Sequence, residues 1–212
     1  MMPTPPHLHF ILGGARSGKS AHAELLAARH GGPVTYIATA RIADPEFAAR
    51  VAHHKDRRPA SWTVREAPLD LAGAVAQADA AGGVILIDCL TLWLANLLCP
   101  PPAADAGDGV HQGTDKTEAG ASTSLDTFSP LSGWADYLDA FADTLPRCRG
   151  TVLVVSNEIG LGVIPLGSVT RRYVDELGRL NQRVAALSSA VTLMVAGLPM
   201  AVKVDAAGWV AR

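Results

Sequence analysis

Five short runs of mostly apolar residues recur along the chain: Leu8–Leu12, Val34–Ile37, Val84–Ile87, Thr151–Ser156 and Val191–Ala196. They are rich in β-branched and aliphatic side chains and do not alternate with polar ones, so they predict strands buried on both faces, as in a parallel sheet. The segments between them carry a helical period instead: Ala21–Arg29, Leu69–Ala80, Trp134–Leu145 and the long Val169–Ala190. The most membrane-like run, Val84–Cys99, is shorter than the roughly 20 residues a span requires and contains Asp88 and Asn96. A buried strand followed by a helix accounts for it better. The pattern predicts one α/β domain with a mostly parallel sheet flanked by helices.

Other segments are less regular. Gly31-Gly32-Pro33 breaks the chain, Ser61–Glu66 reads as a strand or an extended link, and Ala201–Val204 with Trp209-Val210 reads as a terminal edge. Asp44-Pro45-Glu46 has the composition of a helix start, with Asp as cap and Pro in the first turn, and that helix is expected to run to about Asp56. On it Phe47, Val51 and His54 share one stripe, while His53 points about 100° away. The two adjacent histidines therefore cannot share a role. Between Pro100 and Pro130 large apolar residues nearly vanish in favour of Pro, Ala, Gly, Asp, Ser and Thr. Such a segment cannot bury enough surface to offset its ordering entropy, and is expected to be a flexible insertion within a single domain spanning residues 1–212.

The densest chemistry follows the first predicted strand. Gly13-Gly14-Ala15-Arg16-Ser17-Gly18-Lys19-Ser20 fits the phosphate-loop pattern, strand before and helix after. Its glycines let successive backbone N–H groups turn towards phosphate oxygens, Lys19 supplies a point charge, and Ser20 can place a hydroxyl on Mg²⁺. Asp88, at the end of the apolar run Val84–Ile87, is the expected second Mg²⁺ ligand or water holder, the competing assignment being a cap for the next helix. Ala38-Thr39-Ala40 ends the second predicted strand at the edge where open α/β sheets bind ligands, and Asn157 and Glu158 lie just past another buried strand. Gly160 and Gly162 would let the following loop approach a ligand closely. Arg171, Asp175, Gly178 and Asn181 recur on one side of the long helix and read as packing and capping.

Of the 212 residues, 49% are hydrophobic and 18% charged, which fits a well-packed globular chain. A net charge of −2 gives no broad electrostatic reason to expect nucleic acid or an anionic membrane as partner. Cys89, Cys99 and Cys148 are odd in number and lack CxxC spacing, and are read as reduced thiols of a cytoplasmic protein. MMPTPPH at the start has neither the basic segment nor the apolar core of a signal peptide.

Several segments resemble one family, the bifunctional adenosylcobinamide kinase / adenosylcobinamide-phosphate guanylyltransferase of cobalamin biosynthesis. They are GGARSGKS at Gly13, YIATA at Tyr36, ARVAHHKDRRPASW at Ala49, LIDCLTLWLANLL at Leu86, SNEIGLGVIP at Ser156 and RRYVDELGRLNQRVA at Arg171. The phosphate loop is common to many enzymes, whereas the HHKD segment and the NEIGLGVIP loop discriminate. The resemblance implies a RecA-like sheet in a P-loop NTPase domain and a homotrimer. It also implies phosphoryl transfer from ATP or GTP to adenosylcobinamide, followed by transfer of GMP from GTP through a guanylylated histidine, here His53. The Pro100–Pro130 insertion is longer than the family's pattern.

A neutral imidazole, the majority form at pH 7 with a reference pKa of about 6.5, is a competent nucleophile for such a transfer. The expected nucleotide site comprises Gly13–Ser20, Ala38, Thr39, Ala40, Lys55, Asp56, Arg57, Arg58, Glu66 and Asp88, with Ser20 and Asp88 on the metal. Glu66 enters by resemblance; Lys55, Arg57 and Arg58 equally fit a solvated charge run closing a helix. Two alternatives stay open: a small-molecule kinase in which His53 is idle, and a nucleotide-driven switch or motor. The HHKD segment argues against the former, and the lack of a basic or aromatic-rich face against the latter.

Overall fold

The computed structural model describes residues 7–41, 59–100 and 129–204. The expected helix starting at Asp44, both histidines of the HHKD segment, most of the Pro100–Pro130 insertion and Trp209-Val210 lie outside these residues.

All seven described strands form one sheet: β1 (Leu8–Gly13), β2 (Val34–Ala38), β3 (Thr63–Glu66), β4 (Val84–Asp88), β5 (Thr151–Asn157), β6 (Ala190–Val195) and β7 (Leu198–Lys203). Their spatial order is β3-β2-β4-β5-β1-β6-β7, with β1 to β6 parallel and β7 antiparallel to β6. The helices are α1 (Lys19–Arg29), α2 (Leu71–Ala81), α3 (Leu90–Leu98), α4 (Trp134–Thr144) and α5 (Ser168–Leu187), and one 3₁₀ turn, Leu145–Arg147, follows α4.

The central strands explain why the apolar runs do not alternate. Ile85 and Ile87 of β4 and Val152 and Val154 of β5 pack into one cluster with α2, α3, α4 and α5. Their neighbours Val84, Leu86, Leu153 and Val155 pack into a second cluster with Ala23, Leu26 and Ala27 of α1. Both faces are covered, so every position must be apolar. Trp93 of α3 anchors the larger cluster, edge-on to Phe141 with ring centroids 5.1 Å apart and its indole N–H donating to the Leu69 carbonyl at 2.8 Å.

Of the expected boundaries that move, three have a clear local reason. The helix expected at Leu69 starts at Leu71, because the Asp70 carboxylate accepts from the Gly73 N–H at 2.9 Å and caps it there. The long helix stops at Leu187 and not Ala190, because Ser189 donates from both N–H and hydroxyl to the Leu8 carbonyl at 2.9 Å and brings the chain into β6. The last strand starts at Leu198, ahead of the expected Ala201, since Ala196 and Gly197, with φ of 51° and 82°, form a tight turn. Among the described residues, no helix is long and apolar enough to cross a membrane.

Candidate active site

The sheet's parallel strands end along one edge, and the sequence's candidate residues gather there. β1 ends at Gly13, whose close packing tolerates no side chain: a Cβ would lie 2.4 Å from Ser17 Oγ and 2.9 Å from the Met194 carbonyl. The loop turns back through a Ser17 N–H to Gly14 carbonyl bond of 3.3 Å. It enters α1 at Gly18, which holds φ +93°, a conformation a side chain would strain. Gly14, Ala15 and Arg16 are exposed, and no side chain caps the first turn of α1, so its N–H groups and dipole face the loop. From the other side, the Gly197 N–H of the β6–β7 turn donates to the Ser17 carbonyl at 3.0 Å.

Lys19 folds over this loop and donates from Nζ to the Gly14 carbonyl at 3.0 Å. Partial burial lowers its pKa from the ordinary lysine value, while Cys89 and Asp88 oppose that shift. Burial also pushes the Cys89 thiol up to about 11, so near pH 7 it is neutral and the Asp88 carboxylate is the group that offsets the desolvation of Lys19.

Asp88 ends β4 directly across from Ser20, the second residue of α1. Ser20 Oγ donates to Asp88 Oδ1 at 3.4 Å, and the Tyr36 hydroxyl of β2 donates to Asp88 Oδ2 at 2.6 Å. Helix α3 instead has Cys89 at its cap position, with no side-chain cap bond. The carboxylate thus faces α1 and the phosphate loop. Beside it, Thr39 Oγ1 donates to the Cys89 carbonyl at 2.7 Å and accepts from the Cys89 N–H at 3.0 Å, while Asn96 Nδ2 holds the Thr39 carbonyl at 2.7 Å. Ala38 pairs with Asp88 on one side and with Glu66 on the other. Glu66 is exposed and stands two strand spacings from Asp88, about 10 Å, so it lies on the same edge without joining the phosphate loop. Ala40 follows Thr39 along this edge.

On the opposite flank of β4, β5 ends at Asn157, paired with Gly13. The Thr91 hydroxyl accepts from both the backbone and side-chain N–H of Asn157 at 3.0 Å, and Tyr173 Oη donates to the Thr91 carbonyl at 2.6 Å. Asn181, read from the sequence as packing, is buried and donates to the Asn157 carbonyl at 3.0 Å. The Glu158 N–H donates to the Gly13 carbonyl at 3.1 Å, and its carboxylate accepts from the Gly160 N–H at 2.7 Å. From there the loop exposes Leu161, Val163, Ile164 and Leu166. Arg171 is tied to the Pro165 and Leu166 carbonyls, away from the phosphate loop.

His53, Lys55, Asp56, Arg57 and Arg58 lie outside the described residues. Tyr36, Thr91 and Tyr173 were missed as site-forming residues. For Tyr36 a signal existed: it sits two residues before Ala38, on the same side of β2.

A parallel sheet whose first strand runs through a glycine-shaped loop into a helix, with Lys and Ser at the helix start and a carboxylate facing them, defines a phosphate-loop nucleotide-binding protein. The particular family follows from comparison with known proteins. Residues 9–202 match the CobU family model, described as cobinamide kinase / cobinamide phosphate guanyltransferase, and the chain belongs to that family. It is 44% identical to the bifunctional adenosylcobalamin biosynthesis protein CobP of Pseudomonas aeruginosa, over 91% of this chain and 95% of that one. It is 36% identical to the bifunctional adenosylcobalamin biosynthesis protein CobU of Salmonella typhimurium, over 91% and 98% respectively. Among solved structures, the flagellar accessory protein FlaH of Methanocaldococcus jannaschii overlaps distantly, with a TM-score of 0.47 and 15% identity over 98% of this chain and 83% of that one.

Proposed function

We propose that this chain phosphorylates adenosylcobinamide with ATP or GTP and then transfers GMP from GTP to the resulting phosphate, giving adenosylcobinamide-GDP. The observation that carries the reading is the family match across residues 9–202, on relatives whose whole length the chain nearly covers. In the kinase step the substrate hydroxyl oxygen forms a bond to the γ-phosphorus, the bond to the nucleoside diphosphate breaks, and the hydroxyl proton is released. Lys19 and the loop N–H groups stabilise the charge that develops on the transferred group. The Ser20 hydroxyl and Asp88 carboxylate are an all-oxygen donor set that suits Mg²⁺. They would hold that ion, whose charge screens the nucleotide phosphates.

In the second reaction an imidazole nitrogen of His53 attacks the α-phosphorus of GTP and pyrophosphate leaves. The substrate phosphate oxygen then attacks the guanylyl group, the N–P bond breaks and the imidazole is restored. Lys55, Asp56, Arg57, Arg58 and Glu66 complete the nucleotide contacts on this reading. The same reading carries a homotrimer, checked by light scattering, and a cytoplasmic location, checked by cell fractionation. Supplying adenosylcobinamide, ATP, GTP and Mg²⁺ and following products by mass spectrometry tests the proposal: a monophosphate should form first and the GDP derivative after it. Absence of phosphorylated corrinoid under these conditions would overturn it.

A further inference from the structure

The Asp88 carboxylate makes one strong hydrogen bond to a residue outside the expected nucleotide site. Tyr36 is only 2% exposed, and its ring packs with Ile11, Leu26 and Met194 between the sheet and α1. In the β2–β4 register Tyr36 lies opposite Leu86 and Ala38 opposite Asp88. Tyr36 and Asp88 are therefore diagonal neighbours on one face, within reach of a long aromatic side chain. The ring stays in the core while its hydroxyl emerges at the sheet edge, 2.6 Å from Asp88 Oδ2. Among the described residues, the other oxygen, Oδ1, has the longer 3.4 Å contact with the Ser20 hydroxyl. The two carboxylate oxygens are thus unequal: a short bond to an ionised acceptor is among the stronger hydrogen bonds a protein makes, whereas a 3.4 Å contact is readily exchanged.

We infer that Tyr36 is a positioning residue for Asp88: its hydroxyl holds Oδ2 and fixes the carboxylate rotation, so that Oδ1, on the Ser20 side, is the oxygen offered to a divalent cation. The inference rests on reading Ser20 and Asp88 as the cation site, and is independent of the corrinoid substrate and of His53. A phenylalanine at position 36 would keep the buried ring and remove the hydroxyl that clamps Asp88. Asp88 could then rotate, and one half-buried carboxylate oxygen would lose its partner.

The test measures, on the full chain, affinity for a non-hydrolysable GTP analogue by calorimetry, once with saturating Mg²⁺ and once with EDTA. The ratio of the two dissociation constants is the gain due to the cation. Tyr36→Phe should reduce that gain about tenfold and leave the EDTA affinity unchanged. Asp88→Asn should abolish the gain, and adding Tyr36→Phe to it should then change nothing further, because both act through the same carboxylate. A folded Tyr36→Phe protein with the wild-type gain would overturn the inference. So would a parallel loss of affinity in EDTA, the mark of a general structural defect, or an additive effect in the double variant. A wild-type protein showing no gain at all would instead remove the cation-site reading beneath the inference.

Discussion

β4 and β5 are neighbours in the sheet, yet their carboxyl ends are finished in opposite ways. At the end of β4, side chains from three other elements close the structure: Tyr36 and Ser20 hold the Asp88 carboxylate, Thr39 clasps the Cys89 peptide and Asn96 holds Thr39. The end of β5 starts the same way, with Asn157 held by Thr91 and Asn181. Beyond it the chain exposes aliphatic side chains, with Leu161 at 83%, Val163 at 96%, Ile164 at 77% and Leu166 at 97%. Among the described residues the end of β4 is satisfied by the protein's own side chains, whereas the loop after β5 presents apolar surface of the kind that marks interaction sites. The bulky corrin ring of the proposed substrate is a ligand of matching apolar character, and variants of the loop test that contact.

The largest expected effect falls on the finished side. Lys19→Ala should lower kcat/KM for phosphorylation of adenosylcobinamide by about a thousandfold, since catalysis of this kind is mostly electrostatic. A steady-state assay decides: near-wild-type turnover would mean that the ordered loop is not the phosphoryl-transfer site.

The framework under that loop should also be sensitive to acid. His9 of β1 is buried, with its imidazole Nε2 2.8 Å from Thr192 Oγ1 on β6. Burial, with a smaller contribution from His22, pushes its pKa down to about 4, below the ordinary 6.5. The folded state therefore binds this proton less readily than the unfolded chain. The associated stability is complete above pH 6.5, falls as pH drops towards 4, and amounts to about 3 kcal/mol. Calorimetric melting across this range should show a steeper loss for wild type than for His9→Gln. Equal slopes would contradict the assignment.

The smallest effect belongs to the exposed side. Leu161→Ser combined with Val163→Ser should raise KM for adenosylcobinamide about tenfold, as expected for losing apolar burial, with KM for ATP unchanged. If KM stays put, or if the change dissociates an oligomer instead, the loop contacts another copy of the chain and not the corrinoid.

What could be read in advance followed the range of the interactions involved. The phosphate loop was legible because its glycine spacing, Lys19 and Ser20 form a local pattern with a strand before and a helix after. The runs behind β1, β2, β4 and β5 were legible to within about a residue, because strands covered on both faces cannot include many polar positions. Errors came where one side chain decides: Asp70 capping α2, or Ser189 turning the chain out of α5. Tyr36 was visible as a strand former at the start of the YIATA segment and Asn181 as a packing or capping position on the long helix, but neither partner could be read. Their bonds, to Asp88 and to the Asn157 carbonyl, span 52 and 24 residues and exist only once the sheet order is set.

The central claim is that one chain joins phosphoryl transfer to guanylyl transfer through His53, and covalent labelling tests it most directly. Wild-type protein incubated with α-labelled GTP and Mg²⁺ should take up a single label, stable in base and lost in acid as a phosphoramidate is. Peptide mass mapping should place it on His53. His54→Asn should still label, and His53→Asn should not, while keeping its kinase activity. Label that persists in His53→Asn, or that maps to any other residue, would contradict the account.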